Sequence, residues 1–204
     1  HFGGRTELID RQAVGELVPS LNLDPAGLPI LAGLWHLDGA TARHDAVAWG
    51  YAKGATQRGV ELHQLTEVTG VDIEAGRVTG VQTNRGKVSC GCVVQAVSGL
   101  SADVSKMAGF PLPIVAYPLQ AMVTQPVKPF LDPHVSSSAL HCYVHQTSRG
   151  EIVIGGGSDP YPLYGTRSTL DLKEGLIASA VEMFPFMSEM RLMRQWAGIT
   201  DKTS

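Results

Sequence analysis

Positive charge is what this sequence most plainly lacks. Its 16 Lys and Arg stand against 19 Asp and Glu, a formal net charge of −3, and no Lys/Arg-rich run occurs. Extensive phosphate neutralisation on nucleic acid therefore loses its main support, and no nucleic-acid partner is expected. Long apolar runs are missing too: no stretch reaches the roughly 18 residues a membrane-spanning helix needs. Cysteine is scarce and odd in number, with Cys90, Cys92 and Cys142 alone. That speaks against a disulfide framework and for a reducing, cytoplasmic setting. Metal ligation by Cys90 and Cys92 would need further ligands at matching spacing, so the two are read as buried strand cysteines and no metal is expected. Charged residues, at 17%, are too few for a disordered chain, and 44% hydrophobic residues suffice for a sizeable core. The 204 residues make one compact domain or parts of two. A start at His1 rather than Met, and an end at Thr203 and Ser204 directly after a strand-like stretch, read as a piece of a longer chain.

Element by element, Glu7 to Pro19 predicts a short helix with Asp10 as N-cap, an apolar face of Ala13, Val14, Leu17 and Val18, and Pro19 as its stop. A Pro- and Gly-dense loop follows, then a strand Leu34 to Leu37 and a helix Asp45 to Arg58. The small residues Ala46, Ala48, Gly50, Ala52, Gly54 and Ala55 fit that helix for close approach by a neighbour, and Gly59 ends it. From Val60 the period becomes two. Glu61 to His63 predicts one strand, and Thr66 to Ile73 with Arg77 to Thr83 predicts a hairpin about Glu74-Ala75-Gly76. After Asn84-Arg85-Gly86 the chain returns through Lys87 to Val97, whose last residues, Cys92 to Val97, have the nearly unbroken apolarity of a strand buried on both faces. It enters Ser98-Gly99-Leu100 and a short helix ending at Gly109, a strand, glycine turn and helix suited to an anion or a nucleotide's phosphates. The rest reads as α+β. Ile114 to Val123, Ala139 to His145, Glu151 to Ile154 and Leu192 to Ile199 predict strands, and Leu172 to Phe184 predicts a helix with Asp171 and Glu174 at capping-box spacing.

The chemistry is faint in the residues themselves. A full G-x-G-x-x-G opening a βαβ unit is missing, and the triple glycine Gly155-Gly156-Gly157 reads as a turn or a close backbone approach to a ligand. One of the seven histidines stands out. His44, beside Arg43, enters the small-residue helix where free N–H groups and the positive helix end favour an anion. The alternative at this point is a helix capped by Thr41 or Asp45 with His44 facing water.

The run TARHDAVAWGYA at 41–52 resembles the β subunits of heterotetrameric sarcosine oxidases, within the D-amino-acid-oxidase-like FAD enzymes. AYPLQAMV at 116–123 with PVKP at 126–129, and GGG at 155–157 with WAGITD at 196–201, are similar to the same subunits, and the likeness extends along essentially the whole chain. It implies a fold that is α/β plus α+β: a partial FAD-binding Rossmann-like unit with a three-stranded β-meander, interleaved with a mixed-sheet substrate domain of the D-amino-acid-oxidase type. The substrate-domain portion would comprise 1–40 and 111–204, and the partial FAD-binding portion 41–110.

The resemblance further implies non-covalent FAD and FMN held covalently by His44, the FMN lying between α and β subunits. Sarcosine would be oxidised at FAD to an imine, with electrons passing through FMN to O2 to give H2O2, and glycine and a one-carbon unit as products. Partners would be α, γ and δ subunits, the α subunit using tetrahydrofolate. Carried over by position, Val68 after Thr66-Glu67 would contact adenine through its backbone, and Ala96, Val97 and Ser98 would form the turn that lets backbone approach the phosphates. For all of these, ordinary sheet structure is the alternative. Tyr143 lies where related amine oxidases place an aromatic hydroxyl near the substrate carboxylate, with a buried strand tyrosine as the alternative. The family's glycine-rich fingerprint belongs upstream of His1 and a lysine in a Gly-Gly-Phe-Lys stretch downstream of Ser204, so these residues alone would hold FAD poorly and not turn over sarcosine. The rivals are another FAD-dependent amino acid or N-methyl amine oxidase or dehydrogenase, and a non-catalytic assembly module.

Overall fold

The computed structural model describes residues 4–203; His1, Phe2, Gly3 and Ser204, which fall within the ranges read from the sequence, lie outside it. Two units emerge, one from residues 1–39 and 116–200 and the other from 40–115 and 201–204.

In the first unit, β1 (Thr6–Asp10) pairs antiparallel with β2 (Ala32–His36), and α1 (Arg11–Leu17) follows β1 directly. The helix expected over Glu7 to Pro19 thus begins only at Arg11. Its predicted cap is real, since the Asp10 carboxylate accepts from the Ala13 N–H at 2.8 Å. The four residues before Asp10 are drawn into a ladder with a strand more than 20 residues away, a tertiary pairing that overrides local helix propensity. Gly33 lets the ribbon lie on α1, because a Cβ there would sit 2.9 Å from Val14 Cγ2.

The unit's main sheet has five strands in the order β10-β6-β9-β8-β7: β6 (Ile114–Thr124), β7 (Val135–Ser137), β8 (Cys142–Gln146), β9 (Ile152–Ser158) and β10 (Leu192–Thr203). One face packs against α4 (Leu170–Met183). Met122, Cys142, Val144, Ile152 and Ile154 from the strands meet Leu176, Ala180, Met183 and Phe184 in one core. The apolar stripe read from Leu172 to Phe184 is the face that makes this contact. The capping box is not: Thr169 precedes the helix, and its hydroxyl donates to buried Asp159 at 2.7 Å while Gln120 donates to the same carboxylate at 2.7 Å and to the Thr169 hydroxyl at 2.9 Å. The strand expected to stop at Ile154 runs on through Gly155, Gly156 and Gly157, so the triple glycine is strand and not turn.

In the second unit, β3 (Val68–Glu74), β4 (Arg77–Thr83) and β5 (Gly86–Ser89) form an antiparallel three-stranded meander. Ala75 and Gly76, with φ of 49° and 76°, make the left-handed turn that a two-residue hairpin demands. The helix α2 (His44–Thr56) has no buried residue, and Trp49 and Tyr51 are 66% and 79% exposed. No neighbour of the described unit closes on its small residues. Glu61 to His63 is not a strand. Nor is Cys92 to Val97: β5 ends at Ser89, Cys92 is exposed, and Val94 is 87% exposed. An apolar segment becomes a doubly buried strand only when strands flank it, and none does here among the described residues. A 3₁₀ turn at Ser98–Leu100 leads into α3 (Ser101–Met107), which packs on β3 and stops at Gly109 with φ 78°. Among the described residues no helix is long and apolar enough to cross a membrane.

Candidate functional site

Strand alternation sorts β8 into two sets. Cys142 and Val144 enter the core under α4, so Tyr143 and His145 lie on the opposite face of the sheet. The register carries one cross-strand row over four strands, Ala121 opposite Gly155, Gly155 opposite Tyr143 and Tyr143 opposite Ser136. Small neighbours give the phenol room to lie down. A Cβ on Gly155 would fall 2.3 Å from Tyr143 Oη and 2.4 Å from Cζ, so the ring rests directly on the glycine backbone. Gly156, at φ 129°, is similarly occupied by the His141 carbonyl, 2.3 Å from where its Cβ would stand.

Three rings gather on this face. His134 stacks on Tyr143 with centroids 5.1 Å apart and on His145 at 5.5 Å, and Tyr143 and His145 are 6.2 Å apart, all within 28° of parallel. Burial raises the Tyr143 phenol above its ordinary range, with neighbouring Cys142 adding to it, so the hydroxyl is a protonated donor near neutral pH. Burial lowers His134, and burial followed by the His134 charge lowers His145, whose Nδ1 is buried with no hydrogen-bond partner among the described residues. Both imidazoles are thereby kept neutral at pH 7. Sequence reasoning singled out Tyr143 and missed the two histidines. The Tyr-x-His spacing at 143–145 carried a signal for His145, because residues two apart on a strand share a face; nothing local pointed to His134.

The other expected site residues lie in the second unit. Arg43 precedes α2 and pairs with Asp45 at 2.9 Å, both exposed; the Arg43 hydrogen bond is the largest influence holding the Asp45 carboxyl below its usual range. His44 opens the helix, exposed, with its imidazole making no hydrogen bond among the described residues. Val68 opens β3 and lines a cleft of about 360 Å³ together with His63, Thr66, Thr83, Arg85 and Lys87. Of these, Lys87 meets Asp72 at 2.9 Å, and Gln82 donates to the same carboxylate at 2.8 Å. Ala96 and Val97 are exposed, and Ser98, at φ 47°, donates its hydroxyl to Asp201 at 3.1 Å. The main-chain N–H groups of Ala96, Val97 and Ser98 find no acceptor among the described residues. The basic lining of the cleft was not anticipated from the sequence, since Arg85 and Lys87 are ordinary turn and strand residues there.

Comparison with known proteins gives a consistent result. Residues 1–204 match the family model described as FAD dependent oxidoreductase. The chain is 44% identical over 198 residues to sarcosine oxidase subunit beta of Rhodobacter capsulatus, covering 97% of this chain and 48% of that protein. Against the corresponding subunit of Rhizobium meliloti it is 45% identical over 199 residues, covering 98% of this chain and 48% of that protein. Its structure superposes on L-proline dehydrogenase from P. horikoshii with a TM-score of 0.90 at 30% identity, covering 99% of this chain and 54% of that one. The chain therefore spans about half the length of the relatives it matches.

Proposed function

Since the chain belongs to the FAD-dependent oxidoreductase family, we propose that it is part of a flavin-dependent amine oxidase subunit that oxidises sarcosine. The observation that carries this reading is the likeness, along nearly the whole chain, to proteins named sarcosine oxidase subunit beta. The working protein is then an assembly with α, γ and δ subunits in the cytoplasm, with tetrahydrofolate handled by the α subunit. Residues 1–40 and 111–204 serve the substrate, and 41–110 serve FAD.

The residues present fit the flavins this implies. Free main-chain N–H groups at Ala96, Val97 and Ser98 suit an anionic ligand such as a diphosphate. The cleft beside Val68 counts Arg85 and Lys87 among the residues that line it. His44 is exposed at the start of α2 with its imidazole free of hydrogen bonds among the described residues, and so is open to the covalent bond with FMN, and Arg43 next to it brings positive charge. Held there, FAD would supply a two-electron acceptor for oxidation of sarcosine to an imine, and FMN an electron relay to O2 that yields H2O2. The chain's own part is binding and orientation. The protonated Tyr143 hydroxyl donates to the substrate carboxylate, its ring fixed over Gly155, and the neutral His134 and His145 add no charge that would compete for it.

The test uses the full-length protein co-expressed with its neighbouring subunits, acid-precipitated and digested. A flavin mass on the peptide holding His44, lost in His44→Ala, supports the proposal; a bare peptide from a preparation that still oxidises sarcosine refutes the covalent assignment. A second reading, oxidation of a cyclic secondary amine, draws on the superposition with L-proline dehydrogenase. Turnover of proline in place of sarcosine by the same preparation would favour it.

A further inference from the structure

His134 reaches the ring cluster from a loop, and that loop is held with unusual firmness. The side-chain amide of Gln146, the residue after His145, is its hub. Its Oε1 accepts from the N–H groups of Phe130 at 2.9 Å and Leu131 at 3.2 Å, and its Nε2 donates to the carbonyls of Val127 at 3.3 Å, Lys128 at 3.2 Å and Gly150 at 3.1 Å. Hydrophobic anchors follow immediately. Leu131 is buried in the core, and Phe130 packs edge-on against Phe184 and Phe186 with centroids 6.3 and 4.9 Å away. Three residues after Leu131 the chain delivers His134 onto Tyr143 and His145, and β7 begins at the next residue. A loop pinned at its base by four of these hydrogen bonds and at its next turn by two core side chains gives its tip a defined place.

The geometry points to His134 as the positioning residue for Tyr143: its imidazole, set by the Gln146-braced loop, presses the phenol flat against Gly155. The stack and the glycine are complementary constraints. Gly155 forbids movement toward the sheet, where Tyr143 Oη already stands 2.3 Å from a would-be Cβ, and His134 lies against the ring as its other support. His145, two residues along the same strand, lies near-parallel to both rings, 5.5 Å from His134 and 6.2 Å from Tyr143. Neutral imidazoles suit this task, because an aromatic ring lies offset-parallel on another without needing a counter-ion. The consequence for chemistry rests on the assignment of Tyr143 to the substrate carboxylate made above, whereas the consequence for the ring itself does not.

The experiment separates the two. In the full-length protein with its partner subunits, nitration of Tyr143 by tetranitromethane is followed by peptide mass in the parent, His134→Ala and His134→Phe, alongside KM and kcat for sarcosine in the same three and in Tyr143→Phe. Loss of the stacked ring speeds nitration of Tyr143 and raises KM by about threefold to tenfold, the range one ring–ring contact supports, with kcat changed less. His134→Phe keeps a ring of similar shape and restores both readings. Unchanged nitration in His134→Ala overturns the proposal, and so does a His134→Phe variant as defective as the alanine. If nitration responds as stated but Tyr143→Phe leaves KM and kcat untouched, the positioning of the ring stands and the assignment of Tyr143 to the substrate falls. If Tyr143→Phe raises KM while His134→Ala does not, the assignment stands and the positioning role falls.

Discussion

Replacing Gly155 by alanine adds a single methyl group at the point where the sheet and Tyr143 touch. That methyl carbon would lie 2.3 Å from Tyr143 Oη, 2.4 Å from Cζ and 2.8 Å from Cε1. Non-bonded carbons rest at about 3.5–4.0 Å, so the ring must lift by roughly 1 Å. It can do so by pushing back the His134 ring stacked on it, because both obstructions are side chains rather than backbone. Stability should therefore fall by no more than the ~1–3 kcal/mol typical of overpacking. Function should suffer more, since a group displaced by about 1 Å from a reacting substrate can cost on the order of 10²-fold in rate. Gly156→Ala is the contrast: its methyl would meet the His141 carbonyl at 2.3 Å, backbone that cannot swing aside, at a φ of 129° that alanine resists. Melting temperature and kcat/KM of the full-length enzyme should then rank the two oppositely, Gly156→Ala unfolding first and Gly155→Ala folding but losing turnover. A cycle with Tyr143→Ala isolates the cause, because the cost of Gly155→Ala should largely vanish once the ring is gone. Full kcat/KM in Gly155→Ala, or an equal cost in the Tyr143→Ala background, would refute the reasoning.

Three further outcomes follow from particular side chains. Burial pushes the Cys142 thiol from 9.0 up to about 11, so the folded state favours the neutral thiol, and its contribution of ~2–3 kcal/mol is complete below pH 9 and disappears as pH rises through 11. Denaturant titrations from pH 8 to 11 should show a loss that Cys142→Ala lacks, and at pH 8 a thiol reagent should modify exposed Cys92 while sparing Cys142 until unfolding; early labelling of Cys142 would contradict its burial. Asp159 accepts hydrogen bonds from Gln120 and Thr169 in a closed, buried network, so Asp159→Ala strands two donors and should cost roughly 1–3 kcal/mol, read as a lower melting temperature. His145 is held below its ordinary value chiefly by burial, so its stabilising effect is complete above the unfolded value near 6.5 and fades as pH falls through it. Melting temperatures between pH 7.5 and 5 should drop less steeply in His145→Phe than in the parent, and parallel slopes would count against a neutral buried ring.

Much of the fold was legible where structure is local. The meander follows from its period of two and the Glu74-Ala75-Gly76 turn, and α4 follows from a stripe that the core then uses. What escaped depends on distant partners. Leu8 and Ile9 fit a helix or a strand equally well, and only the ladder with residues 32–36 decides between them. Cys92 to Val97 has the composition of a buried strand but lies exposed, since composition records a preference for burial and not the presence of neighbours. The triple glycine has the look of a turn because glycine is frequent in turns. Here two of its members are glycine for lack of space, one beneath a phenol and one beneath a carbonyl. The site was legible in the same uneven way. Tyr143 and His145 could be paired from strand alternation, whereas His134 joins them only through a loop whose hub, Gln146, reveals itself in three dimensions.

That alternation also explains how one short strand serves the core on one face and the ring cluster on the other. Val144 is fully buried and faces Ile154 in the core, whereas Tyr143, one residue away, faces Gly155 on the other side of the sheet. A slip of the β8 register by one residue would exchange the two sets, pushing a phenol and an imidazole into the core and valine onto the ring cluster. The core thus favours the site: the apolar contacts of Cys142, Val144, Ile152 and Ile154 with α4 reject any one-residue slip and keep Tyr143 on the face where it meets Gly155. The glycine then completes the arrangement locally. With Ala121 beyond it in the same cross-strand row, it keeps a shallow track open, and the phenol lies along that track instead of standing upright from the sheet. Packing on one face and emptiness on the other are therefore two halves of a single register, and the position of the Tyr143 hydroxyl is inherited from the hydrophobic core beneath it.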